Sequence, residues 1–383
     1  MDWVYLDNNA TTMIDPRVLE AMRPFLAEQY ANPSSTHHFG QQARYAVEAA
    51  RECIAGLLGL SGGQVIFTSG GTEANDLGVR GMLASRPSKR HLVTTAVEHA
   101  SILRLAQQIE KEGYRVTYVG VDRLGRLDPA EFEAALGGDT ALASVMHANN
   151  ETGVVFPVER LGEIAASKGI PLHVDAIQTT GKVVTDLGKW PVSLVTLAAH
   201  KFHGPKGVGV LCIGRGVRPR PRLVGGHQEG DLRAGTENVP AIVGMAEALR
   251  LAVEHLEEEN GRVRALRDRL ETGILQRIPL THGLGHREDR LPNTTAIGFE
   301  ALEAEAVLML LSNHRICASS GSACGSGSLS PSHVLTAMGL DERVVHGAVR
   351  FSLSRFNTDQ EIDRVLEVVP SIIERLRRVM GGA

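Results

Sequence analysis

Between about Gln64 and Gly214, short apolar and β-branched runs alternate with stretches whose apolar positions recur every three or four residues. The runs read QVIFTSG (64–70), RHLVTTAVEH (90–99), RVTYVGV (115–121), ALASVMHAN (141–149), IPLHVDAIQ (170–178), SLVTLAAH (193–200) and GVGVLCIG (207–214). Several are almost continuously apolar, the pattern of strands covered on both faces. Between them, TEANDLGVRGMLA (72–84), ASILRLAQQIEKEG (100–113), PAEFEAALG (129–137) and PVERLGEIAASKG (157–169) read as helices. In the last of these, Val158, Leu161, Ile164 and Ala165 fall on one face. Such alternation predicts an α/β fold with a mostly parallel central sheet and helices on both sides.

Beyond Val239 the pattern changes. A long helical stretch over 238–275 is followed by a mixed segment from about Leu280. In the last helical stretch, 358–380, Thr358 stands three residues before Glu361, the spacing of a capping box, and Pro370 predicts a kink or a restart. These changes divide the chain into a large domain over 16–255 and a smaller α+β domain made of 1–15 and 256–383. The Gly/Ser-rich stretch ASSGSACGSGSLSPS (318–332) reads as a mobile loop on the smaller domain.

Composition narrows the function. The 383 residues carry 40 basic and 44 acidic side chains, a net charge of −4, which speaks against a broad basic surface for nucleic acid. No apolar run approaches the ~18 residues of a membrane span, and MDWVYLDNNATT lacks the basic and apolar regions of a secretion signal. Four cysteines are too few for a secreted disulfide scaffold. The expectation is a soluble, cytoplasmic protein.

In an open parallel sheet, ligands bind beyond the carboxyl ends of the strands. Polar residues collect there: SGGT (69–72) after the first run, Glu98-His99 after the second and Asn149-Asn150-Glu151 after the fourth. Asp175 with Gln178 ends the fifth run, and His200-Lys201 the sixth. Gly70-Gly71-Thr72 offers free backbone amides at a helix start, either an anion seat or a plain glycine turn. Asp175 could hold a proton-bearing ring nitrogen by Coulombic attraction, or cap a helix; no second ligand stands at metal spacing. Lys201, beside His200, His203 and Lys206, is a candidate nucleophilic amine, because desolvation and neighbouring cations lower an amine's pKa. Its alternative is an exposed loop lysine. Together, an anion seat, an acidic partner for a ring nitrogen and an amine able to form a Schiff base fit pyridoxal phosphate.

Three further residues carry two readings each. His99 is a stacking group and proton shuttle, or a strand-end histidine. Arg350, in HGAVRFSLSRF, grips a substrate carboxylate or forms a surface ion pair. Cys324 lies among small residues, where a nucleophilic thiol needs to be, whereas Cys53 and Cys212 have apolar neighbours. Cys317, seven positions before Cys324, fits no usual zinc spacing but leaves open a redox pair.

The chain resembles the cysteine desulfurases of the class V aminotransferase group, most closely the nitrogen-fixation type. The resemblance runs from YLDNNATT (5–12) through NPSSTHHFG (32–40), SGGTEAND (69–76), EHAS (98–101), NNETG (149–153), DAIQTTGK (175–182) and HKFHGPKGVGVL (200–211). It continues through RAGTENV (233–239) to SSGSACGSGSLSPSHVLTAMG (319–339) and VRFSLSRF (349–356). It implies the type I pyridoxal-phosphate transferase fold. It also implies that Lys201 holds pyridoxal 5'-phosphate through a Schiff base, Asp175 pairs with the pyridine nitrogen, Gln178 bonds the ring hydroxyl and His99 stacks on the ring. Gly71, Thr72 and His200 would seat the phosphate, with the partner subunit's Thr236 completing it in a homodimer. Asn150, beside the cofactor, and Arg350 would hold the carboxylate of L-cysteine, and Cys324 would take its sulfur as a persulfide, leaving L-alanine. The implied acceptor is an iron–sulfur scaffold protein, with nitrogenase as the destination.

Some positions depart from that pattern: Ala198 stands where many members have a phosphate-binding serine, and Gly325 where a threonine is common. The role of Glu229-Gly230-Asp231-Leu232 is not evident from sequence. Near alternatives are a housekeeping desulfurase and a selenocysteine lyase. A simple aminotransferase would leave Cys324 without a role, and a cofactor-free thiol sensor has only the Cys317/Cys324 pair in its favour.

Overall fold

The computed structural model describes residues 3–320 and 331–380, apart from the side chains of Glu258, Glu259 and Met380. Its strands are β1 (Val4–Tyr5), β2 (Gln64–Thr68), β3 (His91–Thr95), β4 (Arg115–Val119), β5 (Thr140–Met146), β6 (Leu172–Asp175) and β7 (Leu194–Ala198). There follow β8 (Gly209–Ile213), β9 (Thr281–Leu284), β10 (Thr294–Phe299), β11 (Ile316–Cys317), β12 (Ser319–Ser320) and β13 (Ala348–Ser352). Each of the seven runs read from sequence holds one strand, trimmed at its polar end. That trimming leaves the rim residues just outside the sheet.

The main sheet has the order β2-β8-β7-β6-β5-β3-β4. Strands β4, β3, β5, β6 and β7 are mutually parallel, while β8 runs antiparallel to both its neighbours. β3, β5, β6, β7 and β8 are buried along their whole length, as continuous apolar runs require, whereas β4 at the edge is half-exposed. One face is covered by a cluster that includes Leu77, Met82, Ile102 and Ile109 from the helices Gly71–Ser85 and Ala100–Lys111. The other face packs under Val47, Ile54, Leu161, Ile164, Ile242 and Leu249. β4 lies on one side of β3, whereas β5, β6 and β7 step away on the other. A crevice therefore opens beyond the carboxyl ends of β3 and β5, the topological switch point of such a sheet.

The smaller sheet, β12-β13-β10-β9, is antiparallel, and β1 pairs in parallel with β11. A separate core, including Leu6, Leu270, Ile274, Phe299, Phe351, Val365 and Val369, lies beneath it.

Three expectations need correction or completion. The stretch over 238–275 is two helices, Val239–Glu254 and Leu256–Arg277, meeting at His255. The first buries Ile242, Met245 and Leu249 in the main core, and the second sends Val263, Leu266 and Leu270 to the other, so packing rather than periodicity sets the break. The last helix, Asp359–Met380, runs on past Pro370 without a break. A proline frees the carbonyl four residues earlier, and here that carbonyl, of Leu366, accepts from Arg277 Nη1 at 3.1 Å. The same helix begins with the expected box: the Thr358 N–H donates to Glu361 Oε2 at 2.9 Å and the Glu361 N–H to Thr358 Oγ1 at 3.3 Å. The role of Glu229 becomes visible too. Its carboxylate, buried, accepts from the Phe67 N–H at 2.7 Å and from Arg51 Nη1 and Nη2 at 2.8 Å, clamping β2 to a turn in which Glu229, Gly230 and Asp231 all have positive φ. No helix among the described residues is long and apolar enough to cross a membrane.

Candidate active site

At the crevice, Gly71, Thr72, His99, Asn150, Asp175, Gln178, His200 and Lys201 line one cavity of about 270 Å³, with Ser101, Met146, Ala148, Ile177 and Ala198. Of the described residues to which the resemblance gives a role, Arg350 and Thr236 are not on its lining. Arg350, 2 % exposed, lies beside it: Nη1 donates to the Asn150 carbonyl at 2.8 Å and Nη2 pairs with Asp7 Oδ1 at 2.7 Å. Thr236 is exposed on this chain. Cys324 lies outside the described residues, as does Gly325.

The anion seat is built by backbone. Gly70, with φ 155° and ψ 179°, takes a conformation reserved in practice for glycine. A Cβ on Gly209 of β8 would stand 2.5 Å from the Gly70 carbonyl carbon, so the two backbones touch. A Cβ on Gly71 would stand 2.3 Å from Ile177 Cδ1. Among the described residues no side chain caps the start of the helix Gly71–Ser85, which leaves its first amides available to an anion.

Asp175 closes β6, 5 % exposed. Its Oδ1 accepts the Ile177 N–H at 3.0 Å and its Oδ2 accepts from Asn75 Nδ2 at 2.9 Å. Burial still holds its pKa above the usual carboxylate range, although these bonds and the cations of His99 and Lys201 oppose that shift. Asn75 Nδ2 also donates to Ser101 Oγ at 3.0 Å, and that oxygen lies 2.9 Å from His99 Nδ1. The Ser101 N–H donates to the same Nδ1 at 3.2 Å, so a neutral His99 carries its proton on Nε2. Burial keeps His99 below the ordinary histidine value, with Lys201 and His333 adding to the effect and Asp175 opposing it. Burial, with Lys201, Lys206 and Lys182 nearby, pushes His200 down to about 4, so it is neutral at pH 7.

Lys201 ends the single turn Ala199–Lys201 beyond β7, and its Nζ donates to the Asn9 carbonyl at 2.6 Å and the Ala10 carbonyl at 2.8 Å. Those carbonyls belong to the amino-terminal DNNATT segment. Gln178 Nε2 donates to the same Asn9 carbonyl at 2.9 Å. Asn75, Ser101 and Asn9 are site residues that the sequence reading missed. Asn75 lay within SGGTEAND at one helical turn from the anion seat, a position that could have signalled it.

Glu98, directly before His99, is wholly buried. Its Oε1 accepts from Thr95 Oγ1 and the Met146 N–H, both at 2.8 Å, while Oε2 has no partner among the described residues. Burial pushes its pKa up from 4.5 to about 8. Between those values the folded chain holds a proton that the unfolded chain has lost, so raising the pH through this window costs stability, and above it the loss is complete. Thermal midpoints at about pH 5.5 and about pH 8.5 are therefore expected to differ less in Glu98→Gln than in the wild type. An equal difference would place the proton elsewhere.

A crevice that opposes a primary amine to a buried carboxylate, beside free helix amides, has the chemistry of a pyridoxal-phosphate site, and the sheet around it is that of the type I fold. Residues 4–365 match the aminotransferase class-V family. Cysteine desulfurase 2 of Trichormus variabilis is 55 % identical over 379 residues, which span 99 % of this chain and 95 % of that one. The cysteine desulfurase NifS of Azotobacter vinelandii is 48 % identical over 377 residues, 98 % of this chain and 94 % of that one. A solved NifS-like protein superposes with a TM-score of 0.92 at 40 % identity, covering 98 % of this chain and all (100 %) of the other. The chain belongs to the class-V aminotransferase family, among its cysteine desulfurases, and is a pyridoxal-phosphate enzyme.

The residues present fit that cofactor. Asp175 is a buried carboxylate at the cavity wall, and among the described residues Asn75 Oδ1 behind it is buried without a partner. Ala198 lines the wall with a methyl group where a serine would add a hydroxyl, next to Gly71, Thr72 and His200.

Proposed function

We propose that the protein takes sulfur from free L-cysteine, releases L-alanine and keeps the sulfur as a persulfide on Cys324. The observation that carries this reading is the convergence of Lys201, Asp175, Gln178 and His99 on one cavity, with Arg350 beside it. The bound cofactor supplies an electron sink for the carbon skeleton of the amino acid. Lys201 would anchor it through Nζ, the atom that would also take the Cα proton of the substrate. Asp175 holds the pyridine nitrogen in its charged form, Gln178 faces the ring hydroxyl, and the amides of Gly71 and Thr72 with His200 hold the phosphate. His99 would stack on the ring, and Nε2 is the atom that carries its proton when it is neutral. Asn150 and Arg350 orient the substrate carboxylate, Arg350 being held in place by Asp7.

Cys324, as thiolate, attacks the substrate sulfur: the carbon–sulfur bond breaks, a sulfur–sulfur bond forms, and a proton replaces sulfur on Cβ. Cysteine and one thiol thus become alanine and one persulfide, with no outside oxidant. The partner subunit's Thr236 completes the phosphate seat in a homodimer; its exposure on this chain supports that placement. The division into 16–255 and 1–15 with 256–383 is supported by the helix break at His255 and by β1 pairing with β11. An iron–sulfur scaffold protein receives the sulfur, and the similarity to a NifS protein supports nitrogenase as its destination. The experiment is to supply L-cysteine and a thiol reductant and to measure alanine and sulfide: the two are expected in equal amounts. Pyruvate in place of alanine would overturn the reading.

A further inference from the structure

Lys182 is a lysine in the interior, 9 % exposed, with no carboxylate paired to it among the described residues. It ends the DAIQTTGK segment that begins with Asp175. Its Nζ donates to the Gln178 carbonyl at 3.0 Å and to Gln178 Oε1 at 3.2 Å. A buried ammonium is costly unless its bonds repay it, and both bonds here go to one residue of the cavity wall.

Those bonds decide which way the Gln178 amide faces. The oxygen and nitrogen of an amide are ordinarily interchangeable. Here a flipped amide would set its NH2 against the Lys182 ammonium and its oxygen against the Asn9 carbonyl, two repulsive contacts in place of two bonds. One N–H of Nε2 is spent on the Asn9 carbonyl at 2.9 Å. The other has no acceptor among the described residues, and Gln178 lines the cavity.

The surroundings of Lys182 are cationic. Burial, with Lys201 and Arg350 repelling its charge, pushes its pKa down to about 7. His200 and His203 feel Lys182 in turn, and Arg355 lines the same small hollow as Lys182, Lys201 and Asn260. Neutral or charged, the amine has a hydrogen to give to Oε1.

We propose that Lys182 is a positioning residue, which aims the Gln178 amide so that an N–H, never an oxygen, faces the ring hydroxyl of the cofactor and favours that oxygen's anionic form. The inference rests on Gln178 facing that hydroxyl. A donor to an ionised oxygen lowers its proton affinity, so losing the aim raises the pH at which the bound cofactor's visible absorption changes. Losing the Lys182 charge beside Lys201 acts in the same direction.

The test is a pH titration of the cofactor absorption in Lys182→Met, without substrate. The midpoint is expected to rise by about one unit. Gln178→Glu, which keeps the shape but offers only oxygens, is expected to move the midpoint the same way, and it serves should Lys182→Met not fold. In a Gln178→Leu background, Lys182→Met is expected to add less than it does alone, since the amide it aims is gone. A role confined to packing would lower the melting temperature and leave the midpoint where it was. A wild-type midpoint in cofactor-loaded Lys182→Met, or in Gln178→Glu, overturns the proposal. Absence of any such band from the wild-type protein would instead overturn the assignment of the cavity.

Discussion

Lys201→Ala is expected to lower alanine formation from L-cysteine by on the order of 10⁴-fold and to abolish the absorption of the covalently held cofactor. On the proposed reading two functions meet in one amine: anchoring the cofactor and accepting the Cα proton. The arrangement around Nζ suits both. It donates to the Asn9 and Ala10 carbonyls, and it comes off a short turn at the end of a buried strand. His200 and His203 flank it, and burial pushes both down to about 4, so neither adds a proton at neutral pH. The fold is expected to survive, because the Lys201 ammonium lines the cavity and belongs to no apolar cluster. Retention of both activity and absorption in a folded Lys201→Ala protein would remove the basis for assigning this cavity to the chemistry.

Cys324→Ala is expected to keep the absorption of the bound cofactor and to lose sulfide and alanine production by on the order of 10³-fold or more. The two variants thus separate the two halves of the reaction, anchoring from sulfur capture. The case for Cys324 is strengthened by the other thiols. Burial pushes Cys212 up to about 12, and Cys53 is raised as well, chiefly by burial. Cys317 is raised by burial and by the Asp7 carboxylate. The attacking species is the thiolate, and none of these three environments favours it. Cys317→Ala is accordingly expected to retain most of the activity, which a Cys317/Cys324 redox pair would not predict.

Much of the rim could be read in the sequence because a parallel sheet imposes a simple rule. Continuous apolar runs mark strands buried on both faces, and the polar residues that end them must emerge on one edge. Asp175, Lys201, His99 and the glycine turn at Gly71-Thr72 are legible in that way, and the cavity collects them. What the pattern could not carry was pairing across long distances. That Lys182 binds Gln178, that Asn75 holds Asp175, or that Glu229 clamps β2 depends on which side chains converge in space. Each of these residues is polar in a stretch where polarity alone reads as surface. The same limit applies at Pro370: local rules predict a kink or a restart, whereas the helix continues and a guanidinium from a neighbouring helix donates to the freed carbonyl. Nor does the pattern say which strand of a mostly parallel sheet runs the other way: β8 does, and burial on both faces looks alike in either direction.

The central claim is that sulfur leaves the substrate as a persulfide on one particular cysteine. Mass spectrometry of the protein after brief exposure to L-cysteine tests it most directly, with thiols alkylated before digestion. Trypsin leaves Cys317 and Cys324 on a single peptide, since no lysine or arginine separates Arg315 from Arg343, so backbone fragmentation must assign the site. The account predicts one added sulfur atom, carried on the fragments that contain Cys324 and absent from Cys317, Cys53 and Cys212. Added sulfur on Cys317 alone, or none anywhere while alanine accumulates, would contradict it.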